Sequence, residues 1–410
     1  MHPVSRRTLL KYVAATSFGA ALPAWSAATT PHLAFNPITP EEAGVDEKKL
    51  GRAVAFIEAE IAAGTIPGAG LVATRKGRKF VEHFSGTYRD ASGEDKPFHP
   101  GVSNPLFSFS KGIGATVAVM VKQDKLIDFD VPVSTYIPEY KGGGKDETTL
   151  RHLLTHSAGI PGVTHGAVDT PEAWNAYLAK LCAAQVEWPV GSKTAYHGLS
   201  GLFVVAEAIR RVSDMKSWEA ICRERLLDPI GAESITFTPP RGDAPVSMLP
   251  GYFDSIAPGA NGIGAHPAGG AFGTPDDMLR VLNMIQQGGT WHGTTLLQPE
   301  ALREMLTVQY GDAIARDVAE GRSPAHEPWG LGWLVRGTAP KCGAGPWFGF
   351  GDGKSPTLFG HAGVDTIYGV GDPARDLAFV FVMTHKLPSA EESTRLRREV
   401  SNLLQEAVVA

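Results

Sequence analysis

Strand-like segments stand at both ends of this 410-residue chain, and helical segments fill its middle. Near the start, Ala69 to Thr74 and Lys79 to Phe84 are rich in β-formers and joined by the basic turn Arg75-Lys76-Gly77-Arg78, the pattern of a hairpin. From Trp329 onward the chain returns to strands, at Trp329 to Arg336, Gly360 to Gly369 and Leu377 to His385. Between them, helical spacing predicts helices at about 148–156, 171–184, 199–212, 216–228, 274–287 and 298–309, with 229–262 turn-rich. Further helices are predicted over 47–63 and 390–408, and residues 126–140 read as a loop with a short turn. Two distant segments of one chain that each supply strands are expected to build one sheet. The expected organisation is a discontinuous α/β sheet domain from 41–104 and 327–410, a mainly helical domain inserted over 105–326, and an active site between them.

Composition narrows the class. Hydrophobic residues at 43% and charged residues at 20% are those of a soluble globular protein. The 47 glycines and 30 prolines are dispersed, which suits many tight turns rather than a disordered tail. A net charge of −5 leaves no nucleic-acid footprint. Cys182, Cys222 and Cys342 are odd in number and widely spaced, so they imply no disulfide framework. The first 40 residues carry no acidic side chain. Arg6-Arg7-Thr8-Leu9-Leu10-Lys11 precedes an apolar stretch to Pro23 and the small residues Ala24 to Ala28, so residues 1–28 are expected to be a twin-arginine-type export signal and 29–40 a linker. The apolar stretch is too short and too rich in Gly and Ala for a spanning helix. The expected location is periplasmic or secreted, with no stable membrane insertion after signal removal.

Three stretches could carry chemistry. Ser108-Phe109-Ser110-Lys111 opens an apolar helix whose first turn would set the Lys111 ammonium beside the Ser108 hydroxyl. A serine hydroxyl needs a neighbouring base, and a lysine serves as one only when burial or its neighbours lower its pKa. Gly112 and Gly114 inside that helix suggest close packing of a buried element. A second copy of the spacing, Ser213-Asp214-Met215-Lys216, sits between two amphipathic helices and reads as a turn and cap. Next, a Pro189-Val190-Gly191 turn leads to Tyr196 and His197; a tyrosine near a lysine can pass protons, and His197 can offer a hydrogen bond or simply pack. Last, Phe359-Gly360-His361-Ala362-Gly363-Val364 places small residues between strand residues, where a backbone amide together with that of Ser108 could form an oxyanion hole.

The order Ser-x-x-Lys, then Tyr, then His-x-Gly on a late strand resembles the penicillin-recognising serine hydrolases, which include class C β-lactamases, serine D-alanyl-D-alanine carboxypeptidases, D-aminopeptidases and family VIII carboxylesterases. Supporting stretches are Asp128 to Val133, Tyr136 to Glu139, Leu150 to Ile160, Pro267-Ala268-Gly269-Gly270 and Trp329-Gly330-Leu331-Gly332-Trp333, so the resemblance spans roughly residues 40–405. It implies an α/β (α+β) chain of the β-lactamase/transpeptidase-like fold, an antiparallel sheet flanked by helices with an inserted helical domain. It implies Ser108 as acylated nucleophile, Lys111 as its base or as the partner of an anionic tyrosine, and Tyr196 as proton carrier. His361, Ala362 and Gly363 would line the site, with the amides of Ser108 and Val364 on the oxyanion. No cofactor or metal is implied. The substrate would be a small-molecule ester, amide or lactam.

Two departures bear on which. The family often places Asn two residues after the tyrosine, where this chain has Gly198, and Lys-Thr-Gly where this chain has His361-Ala362-Gly363. The cation expected to hold a β-lactam carboxylate is thus missing or pH-dependent, and both departures weaken the β-lactam and D-peptide readings while leaving ester hydrolysis intact. A small-ester carboxylesterase is therefore expected, with a β-lactamase or D-aminopeptidase/DD-carboxypeptidase as the first alternative and an acylated protein that never turns over as the second. Rival motifs fail. There is no G-x-S-x-G elbow, no Ser-Asp-Asn, and no H-E-x-x-H, and the P-loop-like run Gly349 to Ser355 has Phe348 where the first glycine belongs. Trp174, Trp188 and Trp347 are candidates for an acyl pocket, with core packing the favoured reading.

Overall fold

The computed structural model describes residues 35–163, 166–238, 240, 244–250, 265–309, 320, 327–337, 351–352, 355–364 and 366–409. The expected signal segment, part of the linker, Cys342, Trp347 and most of the Gly349–Ser355 run lie outside these residues.

Helix α1 (Glu47–Ala62) starts at Asp46, whose side chain accepts from the Lys49 amide. Strands β1 (Gly68–Arg75), β2 (Arg78–Arg89) and β3 (Asp95–Pro97) follow. A short strand β4 (Asn104–Pro105) leads into α2 (Phe109–Gln123). The helical middle comprises α3 (Leu150–Leu154), α4 (Pro171–Ala183), α5 (Ser200–Val212) and α6 (Trp218–Cys222), the last running on as a π-helical turn over Arg223–Leu227. Then come β5 (Phe272–Gly273), α7 (Pro275–Gln286), the hairpin β6 (Thr290–Trp291) and β7 (Thr294–Thr295), and α8 (Pro299–Met305). The chain closes with β8 (Leu334–Val335), β9 (Phe359–Gly363), β10 (Ile367–Asp372), β11 (Leu377–Met383) and α9 (Ala390–Ala407).

The two ends of the chain do build one sheet. Its order is β3-β2-β1-β11-β10-β9-β8, antiparallel throughout. The central pair β1 and β11 joins Ala69 to Met383 and Arg75 to Leu377. Both strands are apolar without alternation because both faces are covered. The period of two then divides their side chains between two cores. Leu71, Phe379 and Phe381 join α1 and α9 on one face, while Val72, Val380 and Val382 join α7 and the helical middle on the other. Residues 35–410 form one compact unit.

The structure corrects several sequence boundaries. Gly360 to Gly369 is two strands, because the chain reverses after Gly363 and Ile367 pairs back onto it. In Trp329 to Arg336 only Leu334–Val335 is strand. The Gly330 amide bonds the Trp333 carbonyl, and Gly332, at φ +73°, takes a conformation that a side chain disfavours. The helices predicted at 148–156 and 298–309 are single short helices, Leu150–Leu154 and Pro299–Met305. The pair β4–β5 carried no sequence signal, yet it ties the segment before Ser108 to the segment after Gly270. The Leu106 amide extends that tie to the Ala271 carbonyl at 2.7 Å.

Candidate active site

Helix α2 is buried on every side from Phe109 to Val121, which an almost uncharged sequence allows. Its glycines permit the approach. A Cβ on Gly112 would lie 2.4 Å from the Trp333 ring, and one on Gly114 would lie 2.8 Å from Leu202. At the entrance Phe107 takes φ +45°, a strained conformation for a bulky residue. Ser108 follows with helical backbone angles and makes no side-chain cap bond, so its hydroxyl is not committed to the helix end.

One turn on, Lys111 is buried, and its Nζ donates to Ser108 Oγ at 2.9 Å and to the Ala268 carbonyl at 2.8 Å. Burial alone lowers the Lys111 pKa to about 7. The same lysine therefore exists as neutral amine in large part at neutral pH. The Tyr196 hydroxyl donates to Ser108 Oγ at 2.7 Å. Burial pushes the phenol well above its ordinary value, the Ser108 bond offsets this in part, and the Glu327 charge adds to the rise. Tyr196 is thus a neutral phenol. Its ring stacks on Trp329 at 5.8 Å and 12°, lies 4.8 Å from the His156 ring, and has Lys111 Nζ 5.1 Å from its centre.

On the opposite wall, β9 delivers His361. Its Nδ1 lies 2.7 Å from its neighbour Ala362's carbonyl oxygen, which fixes the proton on Nδ1. Burial first, then the Lys111 charge, hold its pKa down to about 3, so the ring is neutral. No fixed cation stands at this position. Gly363 closes the gap between β9 and α2, since a Cβ there would lie 2.3 Å from the Leu106 carbonyl oxygen. Val364 follows at φ +40°. Among the described residues neither the Ser108 nor the Val364 amide donates a hydrogen bond. Both residues line a cavity of about 260 Å³ together with Tyr196, His361, Ala362 and Trp329. Glu327, Leu334 and Lys386 complete its wall.

The structure thus brings Ser108, Lys111, Tyr196, His361, Ala362 and Val364 together, with Gly363 packed just behind. It does not bring His197 there. That ring is buried between Trp188, 5.7 Å away and stacked, and His156, 5.5 Å away, and neither ring nitrogen has a partner among the described residues. Burial lowers its pKa to about 4. Only its backbone takes part, its amide donating to His156 Nδ1 at 3.0 Å. Gly198 is exposed, and a Cβ there would meet nothing. The second Ser-x-x-Lys lies in the turn after α5, where Asp214 and Met215 have φ +54° and +57° and Lys216 pairs with Glu224. Trp174 is core, bonded to Glu207 at 2.8 Å, and Trp188 backs His197. Among the described residues, Trp329 is the tryptophan that lines the cavity.

Sequence reasoning missed the Ala268 carbonyl, His156, Glu327 and Lys386. The first two fall in stretches that carried the family resemblance, so the motif flagged the region without the role. Glu327 and Lys386 carried no signal, because loop placement alone puts them on the wall.

The beta-lactamase family profile matches residues 53–402. Over 181 residues the chain is 29% identical to the esterase/beta-lactamase LipL of Mycobacterium tuberculosis, covering 44% of this chain and 41% of that protein. Over 251 residues it is 24% identical to the D-alanyl-D-alanine-carboxypeptidase/endopeptidase AmpH of Escherichia coli, covering 58% and 61%. It is also 25% identical over 313 residues to the esterase EstB of Burkholderia gladioli, covering 65% and 74%. The aligned stretches therefore span about two fifths and three fifths of the first two relatives' lengths. Among solved structures, a penicillin-binding protein homolog from Caulobacter crescentus superposes with a TM-score of 0.69 at 23% identity, covering 88% of this chain and 99% of that one. A family VIII carboxylesterase superposes with a TM-score of 0.66 at 20% identity, covering 89% and 99%. At those identities the superpositions speak to fold, and the fold is the antiparallel sheet with flanking helices expected above. With the profile covering most of its length, this chain belongs to the beta-lactamase family.

Proposed function

We propose that the protein is an exported serine hydrolase that forms an acyl-enzyme and acts on small esters. The observation that carries the reading is the position of Ser108 Oγ, held between Lys111 Nζ at 2.9 Å and the Tyr196 hydroxyl at 2.7 Å. A lysine with a pKa of about 7 can accept the Ser108 proton as Oγ attacks a carbonyl carbon. The Ser108 and Val364 amides would receive the developing oxyanion. Tyr196, a neutral phenol, would donate to the leaving alkoxide and recover its proton from Lys111. The reverse sequence, with water as the entering group, would release the acid.

The ester preference rests on His361. A neutral imidazole stands where a β-lactam or peptide carboxylate would need a fixed cation. Ester hydrolysis needs only the nucleophile, the proton carriers and the oxyanion donors. The test is turnover of p-nitrophenyl acetate against a chromogenic cephalosporin, with wild type and Ser108→Ala. Ester turnover lost in Ser108→Ala is expected, and rapid cephalosporin turnover without ester turnover would overturn the preference. A permanent adduct without turnover would mark a sensor instead. Export is tested by the N-terminus of the mature protein, and a chain still beginning at Met1 in the cytoplasm would contradict it.

A further inference from the structure

One carboxylate lines the cavity among its described residues, that of Glu327. Its position is fixed from both ends. The Trp329 amide donates to its backbone carbonyl at 3.0 Å, and the Trp329 indole nitrogen donates to Oε2 at 2.8 Å. Trp329 is itself buried and stacked on Tyr196, so the carboxylate is tied to the ring whose hydroxyl holds Ser108. The other oxygen, Oε1, has no hydrogen bond or ion pair among the described residues. The carboxylate adds to the upward push on the Tyr196 phenol, and burial raises the Glu327 carboxyl itself above its ordinary value, the Trp329 bond offsetting this in part.

Across the cavity, His361 brings it no charge. His361 is neutral, and its buried Nε2, lacking the proton, is a second acceptor without a partner among the described residues. Lys386 does line the cavity, and its amide donates to the Pro250 carbonyl at 3.3 Å. Lys386 carries its ammonium on a flexible four-carbon stem and has a further interaction of its own, whereas the Glu327 carboxylate is held by the indole. A fixed group discriminates between ligands more sharply than a mobile one, because less order is lost on binding.

We propose that Glu327 selects the acyl donor: its open Oε1 receives an ammonium group carried on the acyl chain, and its charge turns away acyl chains that end in a carboxylate. The inference rests on the ester-hydrolase reading and names the substrate class for that site, amino-acyl esters in preference to uncharged or acidic ones.

Three p-nitrophenyl esters of nearly equal size test it: the β-alaninate, the butyrate and the hemisuccinate, which end in ammonium, methyl and carboxylate. Wild type, Glu327→Gln and Lys386→Met are compared by kcat/KM. Gln keeps an oxygen for the Trp329 indole and removes only the charge, and thermal unfolding checks that it folds. The β-alaninate should exceed the hemisuccinate in wild type by on the order of tenfold, the contribution of a partly desolvated charge pair. That ratio should collapse toward one in Glu327→Gln and persist in Lys386→Met. A wild-type ratio near one, a preference for the hemisuccinate, or a ratio that survives Glu327→Gln would overturn the role of Glu327 while butyrate turnover leaves the esterase reading standing. Loss of turnover on all three esters in wild type would instead remove the esterase reading and this inference with it.

Discussion

Lys111 Nζ lies 2.9 Å from Ser108 Oγ, one helical turn along a buried helix, and no carboxylate among the described residues is bonded to it. A lysine placed so is a base waiting for its proton, not the fixed cation of an ion pair. The rate consequence follows from its pKa of about 7. Below that pH the ammonium cannot take the Ser108 proton; above it the amine can. Acylation should rise about tenfold per pH unit on the acid side, level off above about 7, and show no second fall until the raised Tyr196 phenol ionises. Pre-steady-state release of p-nitrophenol from pH 5 to 9 measures this. A flat profile, or one centred near the ordinary 10.5 of lysine, contradicts it.

The same burial makes a stability prediction. Folded Lys111 holds fewer protons than unfolded Lys111 between about 7 and 10.5, so its cost to the fold is full at and below the lower value and fades as pH rises to the upper one. Lys111→Met removes that dependence. The Tm of the variant minus that of wild type should fall steadily from pH 7 to pH 10. A difference that does not change with pH would mean the ammonium is not desolvated. Activity in Lys111→Met should drop by about 10²–10⁴, the typical contribution of a general base.

Packing around α2 predicts a steep cost for one methyl group. Gly112→Ala would place Cβ 2.4 Å from the Trp333 ring, whose indole donates to Thr116 Oγ1 at 3.1 Å. Neither side can yield without moving the helix start. Destabilisation of about 1–3 kcal/mol is expected in denaturant unfolding, as for other overpacked cores. An unchanged midpoint would show that the helix does not pack as described.

Much of this architecture was legible in the chain. The hairpin of β1 and β2 was legible as two β-forming runs joined by a basic turn, the last strand as a continuous apolar run, and the last helix from its periodicity. What failed did so where periodicity is silent. Gly360 to Gly369 read as one strand because its turn after Gly363 uses Val364, a residue that does not usually mark a reversal. The Lys111–Ala268 contact spans residues far apart in sequence, brought together by the β4–β5 pairing and the bonds that Ala271 makes to Leu106 and Ser110. For His197 the sequence leaves a hydrogen-bonding and a packing role equally open; the Tyr196 ring occupies the site, and His197 packs between Trp188 and His156.

That last placement can be checked. Both His197 ring nitrogens are buried without a partner among the described residues, and burial lowers its pKa to about 4. Unpaired buried polar atoms cost about 1–3 kcal/mol. His197→Phe keeps a flat ring between Trp188 and His156, so it should stabilise the fold. The gain should be largest at acid pH, because wild type loses stability as pH falls from 6.5 toward about 4 while the variant does not. Urea unfolding at pH 5 and pH 8 measures both. A strongly destabilised variant with impaired binding would return His197 to the site.

Ser108 as nucleophile is the claim on which the rest depends. Brief reaction with a p-nitrophenyl ester, an acid quench, and intact-mass and peptide mapping read it directly. One acyl group on the peptide containing Ser108 is predicted, absent in Ser108→Ala and retained in Ser213→Ala. An adduct that persists in Ser108→Ala, or that maps to Ser213, would contradict it.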